Sequence, residues 1–291
     1  MKFEGIIPAL ITPIDKDGNL NVCELEKMLN YLIDEGADGF YVLGATGEGI
    51  IVTKEIHMQM TRETLRIVNH RVPCIVHVAR INYPEMLELA AYAEKSGAEA
   101  ISAIPPIFYK YTEDEIYSYF KTLCDSVNIP VLIYNNPNTG VSFSNELLDR
   151  LFSIKNLTGI KWTNPNYLSV ITLKSKYPDL NIINGPDELL NLGLSAGCDA
   201  GIGTTYSFMM PYFKKVYECN KAGNMEEAEK YQTLISNIIV ALLPFGGIGA
   251  SKYLISLLGF DVYYNHFPSR YLTEEEKAAL VKAVREAGLE I

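Results

Sequence analysis

The chain has 291 residues, 48% of them hydrophobic and 21% charged, with a formal net charge of −10 at pH 7. This composition is typical of a soluble globular protein, and the acidic balance without a Lys/Arg cluster argues against nucleic acid or an anionic membrane as a partner. No apolar run approaches the roughly 18 residues that a membrane span needs, and the first residues do not resemble a signal peptide. We therefore expect a cytoplasmic protein.

Short apolar runs alternate with longer segments of helical periodicity along the chain. The predicted strands are, in chain order, Gly5–Leu10, Gly39–Leu43, Cys74–His77, Ala100–Ala103, Val131–Tyr134, Leu157–Lys161, Asn181–Asn184 and Ala200–Gly203. The helical segments between them include Cys23–Glu35, Lys54–Asn69, Pro84–Lys95, Glu113–Ser126, Asn145–Phe152 and Glu188–Ala196. Further helices are predicted after the last strand, at Lys214–Ala222, Met225–Leu243, Ala250–Leu258 and Glu274–Ala287.

Eight apolar strands that alternate with helices predict an α/β fold, the (β/α)8 TIM barrel. Strands this apolar are typical of a parallel sheet covered by helices. An open doubly wound sheet is the alternative, and the missing GxGxxG after the first strand weakens its dinucleotide-binding form. We expect the barrel in residues 1–210, and the final barrel helix with a C-terminal helical extension in residues 211–291, as one structural unit.

The five cysteines are scattered without a CxxC or a zinc-ligand spacing, which predicts reduced packing residues. The four histidines do not cluster either, so no metal site is expected. His77 ends an apolar strand, where it either faces a site or makes a structural hydrogen bond.

Lys161 ends the sixth apolar run, beside the only tryptophan of the chain. Burial disfavours the charged form of an amine, and a neutral lysine that faces a carbonyl compound forms a Schiff base. The alternative is a lysine that extends from a strand end to the surface. The other strand ends must decide between these interpretations, because a barrel gathers its chemistry there.

Polar residues follow several of the other strands. The glycine-rich turn Gly44–Gly49 presents backbone amides and the Thr46 hydroxyl, which suits a carboxylate or a phosphate. Tyr134 either packs at its strand end or carries protons beside an imine-forming lysine. Asp187 and Glu188 either complement a helix N-terminus or bind sugar hydroxyls.

In these motifs the sequence resembles the pyruvate-dependent class I aldolases that include N-acetylneuraminate lyase and dihydrodipicolinate synthase. The motifs are the Gly-x-Thr-Gly-Glu turn at 44–48, the Tyr-Asn-x-Pro sequence at 134–137 and the Gly-Ile-Lys sequence at 159–161. The resemblance implies a barrel, commonly a homotetramer, that needs no cofactor. It implies that Lys161 forms the imine with pyruvate or a 2-oxo acid and that Tyr134 transfers protons. Thr46, helped by the backbone around Ala45, would bind the carboxylate.

The resemblance favours the lyases over the synthases. Synthases usually carry an arginine in the loop after the tyrosine motif, where this chain has Asn138. The sequences Asn-Gly-Pro-Asp-Glu at 184–188, Gly-Ile-Gly-Thr-Thr-Tyr at 201–206 and Lys-Trp-Thr at 161–163 match the lyases instead. By resemblance, the residues that bind the polyhydroxy part of a sugar acid are Thr163, Gly185, Asp187, Glu188 and Thr204.

Two features depart from the family pattern. Ala45 stands where a Ser or Thr hydroxyl usually joins Tyr134 in a proton relay with a tyrosine of a neighbouring subunit, whose counterpart here is Tyr109. Without that hydroxyl the relay is broken, bridged by water or rerouted. The sequence Asn-Pro-Asn at 164–166 also replaces a Ser/Asp-Gly-Asp type of sequence.

The resulting hypothesis is a lyase that cleaves a sialic acid-like 2-oxo sugar acid to pyruvate and an aldehyde sugar. The alternatives are dihydrodipicolinate synthase, another pyruvate or 2-oxo acid aldolase or dehydratase, and a homologue that binds 2-oxo acids without turnover.

Overall fold

The computed structural model describes residues 2–266 and 268–291. Eight strands alternate with helices along the chain, as the sequence predicts. The strands are β1 (Gly5–Pro8), β2 (Phe40–Val42), β3 (Cys74–His77), β4 (Ala100–Ala103), β5 (Val131–Asn135), β6 (Leu157–Trp162), β7 (Asn181–Asn184) and β8 (Ala200–Gly203). The helices are α1 (Val22–Asp34), α2 (Lys54–Val68), α3 (Tyr83–Lys95), α4 (Glu113–Asp125), α5 (Asn145–Phe152), α6 (Tyr167–Lys176), α7 (Leu190–Ser195), α8 (Tyr206–Lys221), α9 (Met225–Leu242), α10 (Gly247–Leu257) and α11 (Glu274–Glu286). Short 3-10 turns occupy Pro137–Thr139, Asp187–Leu189 and Leu243–Phe245.

The eight strands form one parallel sheet in the order β1-β8-β7-β6-β5-β4-β3-β2. The remaining gap, between β1 and β2, is bridged by the parallel pairing of Ala9 with Tyr41, where Leu10 N–H donates to the Tyr41 carbonyl at 2.9 Å. The sheet therefore closes into the predicted TIM barrel. All eight strand ends point toward one mouth, which is where the candidate site residues gather.

Three joints between a helix and the next strand use the same backbone geometry. Gly36 and Gly97 both have φ of +93°, and Gly197 has φ of +108°. A side chain disfavours this left-handed region, so glycine is required where the chain turns from the helix back into the barrel. Each of these glycines is followed by Ala or Cys in the sequence, and the repeated Gly-Ala/Cys joint therefore has a conformational cause.

Two helices differ from the sequence-based expectation. Helix α8 begins at Tyr206, eight residues before the predicted start at Lys214, because its first two turns are buried on nearly all sides and show no amphipathic pattern. Met209 is non-helical there, just before Pro211. Helix α6 is absent from the predicted set because exposed Leu168 and Ile171 obscure its buried face.

The first two C-terminal helices pack against α8, the last helix of the barrel. Helix α9 packs against α8 and α11, and α10 packs against α8 and α11. Within the described residues, no single helix is long and apolar enough to cross a membrane. The segments Met225–Phe245 and Gly247–Leu257 reach that length and apolar composition only when they are taken together, and the chain bends by 114° between them.

Candidate active site

The register of β5 and β6 brings Lys161 and Tyr134 together. The two residues are direct partners in this parallel pairing, so their side chains project to the same face, the interior of the barrel. Both are buried, with 5% and 4% of their surface exposed. The Lys161 Nζ lies 4.2 Å from the centroid of the Tyr134 ring. The amine is thus held inside the barrel instead of extending to the surface.

A second aromatic ring and a buried imidazole complete the walls around the amine. The Tyr41 ring centroid lies 4.5 Å from the Lys161 Nζ, and the Tyr41 hydroxyl hydrogen-bonds Ser102 Oγ at 2.6 Å. Burial raises the pKa of Tyr41 well above its ordinary value. Burial, with the charges of His57 and Lys161, lowers the pKa of His77 to about 3. Both groups therefore remain uncharged at neutral pH.

The turn after β2 has the geometry of an anion-binding site. The Thr46 hydroxyl lies 2.5 Å from the Thr204 hydroxyl, which links this turn to the end of β8. Among the described residues the backbone N–H groups of Ala45 and Thr46 have no hydrogen-bond acceptor. Leu43 and Glu48, on either side, adopt positive φ angles of 60° and 55°. Free amides and a hydroxyl at such a turn suit a carboxylate.

A buried ion cluster holds this turn from the side of the C-terminal helices. Lys252 of α10, fully buried, donates to Glu48 Oε2 at 2.6 Å, and His266 Nδ1 lies 2.9 Å from the same oxygen. Lys252 also donates to the Tyr264 carbonyl at 2.9 Å. Burial acts to raise the pKa of the Glu48 carboxyl, but the hydrogen bonds from His266 and Lys252 outweigh it and hold that pKa below its usual value.

A cavity of about 370 Å³ opens beside the turn, between the ends of β6, β7 and β8 and the C-terminal helices. The five residues that the sequence assigns to sugar recognition all line it, namely Thr163, Gly185, Asp187, Glu188 and Thr204. Apolar side chains of Ile239, Leu242 and Ile248 form its opposite wall. The structure therefore brings these predicted residues together in one space.

Two of the lining groups are arranged for a hydrogen-bonding ligand. The Thr163 hydroxyl has no partner among the residues that the structure describes, and a Cβ at Gly185 would overlap it. Asp187 accepts hydrogen bonds from Thr205 N–H at 2.9 Å and from the Thr205 hydroxyl at 2.6 Å. Burial outweighs these bonds and raises the pKa of Asp187 to about 6.

Tyr109 is the predicted residue that lies apart from this constellation. It lines a different cavity, of about 640 Å³, with Arg80, Ile81 and Tyr119, and 68% of its surface is exposed. The neighbouring Phe108, at φ of 81°, is 85% exposed. Ala45 is exposed at the mouth. Within the described part of the chain, no hydrogen bond joins the Tyr109 hydroxyl to a site residue.

The sequence does not indicate the contacts of five residues around the site, namely Tyr41, Ser102, Glu48, Lys252 and His266. Strand alternation offers a signal for Tyr41, since it is the middle residue of a three-residue strand whose end leads into the Gly44–Gly49 turn. Lys252 carries no such signal, because its partner Glu48 is 204 positions away.

The chain is similar to known lyases and aldolases over nearly its whole length. It is 32% identical over 284 residues to the N-acetylneuraminate lyase of Rhizobium meliloti, covering 98% of this chain and 95% of the relative. The crystal structure of CdNal from Clostridium difficile in complex with mannosamine superimposes with a TM-score of 0.95 and 28% identity, covering 99% and 100% of the two chains. YagE of Escherichia coli K12, a prophage protein of the dihydrodipicolinic acid synthase family in complex with pyruvate, superimposes with a TM-score of 0.93 and 28% identity, covering 99% of each chain.

The fold and these relatives define an enzyme of the class I aldolase type, a carbon–carbon lyase. The family model for the dihydrodipicolinate synthetase family matches residues 2–287, and the chain belongs to that family.

The buried Glu48–Lys252 pair yields a stability prediction. Lys252→Met leaves the Glu48 carboxylate buried without its cation, so we expect the free energy of unfolding to fall by about 3–5 kcal/mol. Urea-induced unfolding measures the change. The matched control is Lys230→Met, which breaks an exposed pair with Glu227 at 3.5 Å and should cost less than about 1 kcal/mol. Equal losses in the two variants would contradict the prediction.

The raised pKa of Asp187 yields a pH prediction. The folded state binds this proton more tightly than the unfolded chain, with a pKa of about 6 against about 3.9. The contribution of Asp187 to stability is therefore present below pH 4 and is lost as the pH rises through 6. Asp187→Asn removes this titration, so its stability relative to the wild type should improve by roughly 1–3 kcal/mol between about pH 4 and about pH 7. Denaturant unfolding at both pH values measures the difference, and an equal difference between variant and wild type at the two pH values would contradict the prediction.

Proposed function

We propose that the protein is a lyase that cleaves a sialic acid-like 2-oxo sugar acid to pyruvate and an aldehyde sugar. The observation that carries the proposal is the pairing of a buried Lys161 with Tyr134 at a barrel mouth. The anion-binding turn lies at the same mouth, and its Thr46 contacts Thr204, which lines the cavity with hydroxyl and carboxylate groups. These groups fit a substrate that carries a carboxylate, a carbonyl and a polyhydroxy chain.

Lys161 supplies the covalent step. Once deprotonated, its amine attacks the C2 carbonyl carbon to give a carbinolamine, which loses water to form the imine. Tyr134 donates its phenolic proton to the departing hydroxyl of the carbinolamine and, as the phenolate, takes the proton of the C4 hydroxyl. The C3–C4 bond then breaks, and its electron pair moves into the imine to give an enamine. Protonation at C3 and hydrolysis then release pyruvate and regenerate the amine. We propose that this sequence needs no cofactor.

The carboxylate of the substrate would bind at the turn after β2. The Thr46 hydroxyl and the backbone N–H groups of Ala45 and Thr46 are the donors available to it. Thr204, in contact with Thr46, belongs to both ends of the site, so it would align the carboxylate with the sugar chain. Such alignment matters because positioning supplies much of the rate in this type of reaction.

The sugar hydroxyls would bind in the 370 Å³ cavity. Thr163 offers a hydroxyl with no partner among the described residues, and Asp187 and Glu188 offer carboxylate acceptors. The mannosamine complex of CdNal, a structurally similar protein, supports an amino sugar as the aldehyde product. A dihydrodipicolinate synthase is the second candidate, supported by the family; Asn138 in place of an arginine argues against it. A binding protein without turnover is the third.

We also propose a homotetramer in which Tyr109 completes the site of a neighbouring subunit. The exposed Phe108 and Tyr109 support an interface on this face, since large aromatic side chains are rarely left in water. In this arrangement the Tyr109 hydroxyl would reach the Tyr134 region across the interface.

Borohydride trapping tests the imine. Reduction in the presence of pyruvate should fix an adduct on Lys161, located by peptide mass mapping, and Lys161→Arg should abolish it while Lys174→Arg, at a lysine of α6, should not. Pyruvate release from N-acetylneuraminate then supports the lyase. Condensation of pyruvate with aspartate semialdehyde would instead favour the synthase, and trapping without either turnover would favour the binding protein. An adduct at another residue would sink the mechanism.

Complementation between subunits tests the role of Tyr109. Tyr109→Phe and Lys161→Ala should each lose about 100-fold or more of the activity. The two variants are then unfolded, mixed in equal amounts and refolded together. Half of the resulting dimers combine the two variants, and each of these has one intact site out of two, so about a quarter of the wild-type activity should return. No recovery, in mixed oligomers isolated through a different affinity tag on each variant, would rule out a Tyr109 that acts across subunits.

A further inference from the structure

We infer that Asn136 is a positioning residue for proton transfer, which acts by donating a hydrogen bond from its side-chain amide to the Tyr134 hydroxyl. The Asn136 Nδ2 lies 3.3 Å from this oxygen. The inference rests on the proposed function, because it assigns a task to Asn136 only if Tyr134 takes a proton from the substrate.

Strand geometry explains why the two side chains meet. Successive residues of a strand alternate between its faces, so residues two apart project to the same side. Tyr134 lies in β5 and projects into the barrel with Lys161, and Asn136 follows just beyond the end of that strand. The amide therefore lies above the phenol on the side of the mouth, where substrate enters.

The orientation of the amide is set by the turn that follows. Asn136 Oδ1 accepts the backbone N–H of Asn138 at 3.0 Å, as the cap of the 3-10 turn Pro137–Thr139. The Thr139 hydroxyl and N–H both donate to the Asn136 carbonyl, at 2.8 and 3.0 Å. If the amide were flipped, its Nδ2 group would face the backbone N–H of Asn138, and two hydrogen-bond donors would then oppose each other. The Nδ2 group is therefore the one that faces the phenol.

The hydrogen bond has a direct chemical consequence. A phenol that accepts a proton from the substrate must first carry negative charge on its oxygen, and a donor to that oxygen favours this form. Among the described residues, Asn136 is the one hydrogen-bond donor to the Tyr134 hydroxyl. The other titratable groups around Tyr134 are Tyr41 and His77, both uncharged, and Lys161. Once Lys161 has become part of the imine, the amide is a fixed dipole that remains directed at the phenol.

Three variants separate this role from the structural role of the turn. Asn136→Ser keeps an oxygen that caps the turn but is too short to reach the phenol. Asn136→Leu removes both functions at nearly constant volume. The matched control is Thr139→Val, which removes the hydroxyl bond to the Asn136 carbonyl and loosens the same turn while it leaves the amide in place.

We expect kcat for pyruvate release to fall about 10-fold to 100-fold in Asn136→Ser and Asn136→Leu. KM and the pyruvate concentration for half-maximal borohydride trapping at Lys161 should stay within about twofold, because neither depends on the base. Thr139→Val should keep kcat within about twofold. Circular dichroism and the melting temperature check that each variant is folded.

Two results would overturn the inference. Asn136→Ser with a wild-type kcat would show that the amide is dispensable, and Thr139→Val with the same loss as Asn136→Ser would assign the effect to the turn. Failure of the proposed function gives a different result, since wild-type protein that traps no pyruvate at Lys161 removes both ideas together.

Discussion

The burial of one amine is the constraint on which the rest of the site depends. A barrel interior is normally filled by branched apolar side chains, and a charged ammonium placed there loses its hydration. At Lys161 this loss is offset by two aromatic ring faces, those of Tyr134 and Tyr41. Both ring centroids lie within 4.5 Å of the Lys161 Nζ. Such contacts contribute about 2 kcal/mol or more each when water is excluded. The aromatic residues thus make burial of the amine tolerable and also fix its position, so the Lys161–Tyr134 pair is pre-formed.

The uncharged neighbours of the amine matter as much as the rings. A protonated His77 would repel an ammonium, and an ionised Tyr41 would bind it as an ion pair. Burial prevents both, because it lowers the pKa of His77 and raises that of Tyr41. The barrel interior therefore surrounds Lys161 with groups that add no charge of their own.

The barrel and the strand-end residues could be predicted from the sequence because both depend on local patterns. Eight apolar runs define the strands, and a parallel barrel brings their ends to one mouth whatever the details of packing. That rule places the residues after β6, β7 and β8 at the mouth, whereas their role in sugar binding is what the family resemblance implies. Residues whose importance arises from contact between distant segments could not be predicted from the sequence. Lys252 is the clearest case, since nothing near it in sequence indicates that its charge is buried against Glu48.

The sequence predicts neither the start of α8 nor the contact of Asn136 with Tyr134, and the two reasons are related. The first turns of α8 are enclosed by other elements, which removes the amphipathic signal on which helix prediction depends. The Asn136 amide has a role only because the chain turns at Pro137 and returns the side chain toward its own strand. Neither the enclosure nor the turn direction is encoded in a periodic pattern.

The C-terminal helices are part of the site. Their apolar residues Ile239, Leu242 and Ile248 line the 370 Å³ cavity, and Lys252 holds the Gly44–Gly49 turn through Glu48. A change in this region can therefore alter both the cavity and the turn without touching a strand of the barrel.

Trp162 gives the molecule a built-in optical probe. It is the only tryptophan in the chain, it follows Lys161 on β6, and 5% of its surface is exposed. Selective excitation of its indole would therefore follow events one residue from Lys161 against the background of 19 tyrosines. A change of charge or hydration at the barrel mouth would alter the wavelength or lifetime of its emission. The imine formation that we propose for Lys161 could thus be timed in unlabelled protein.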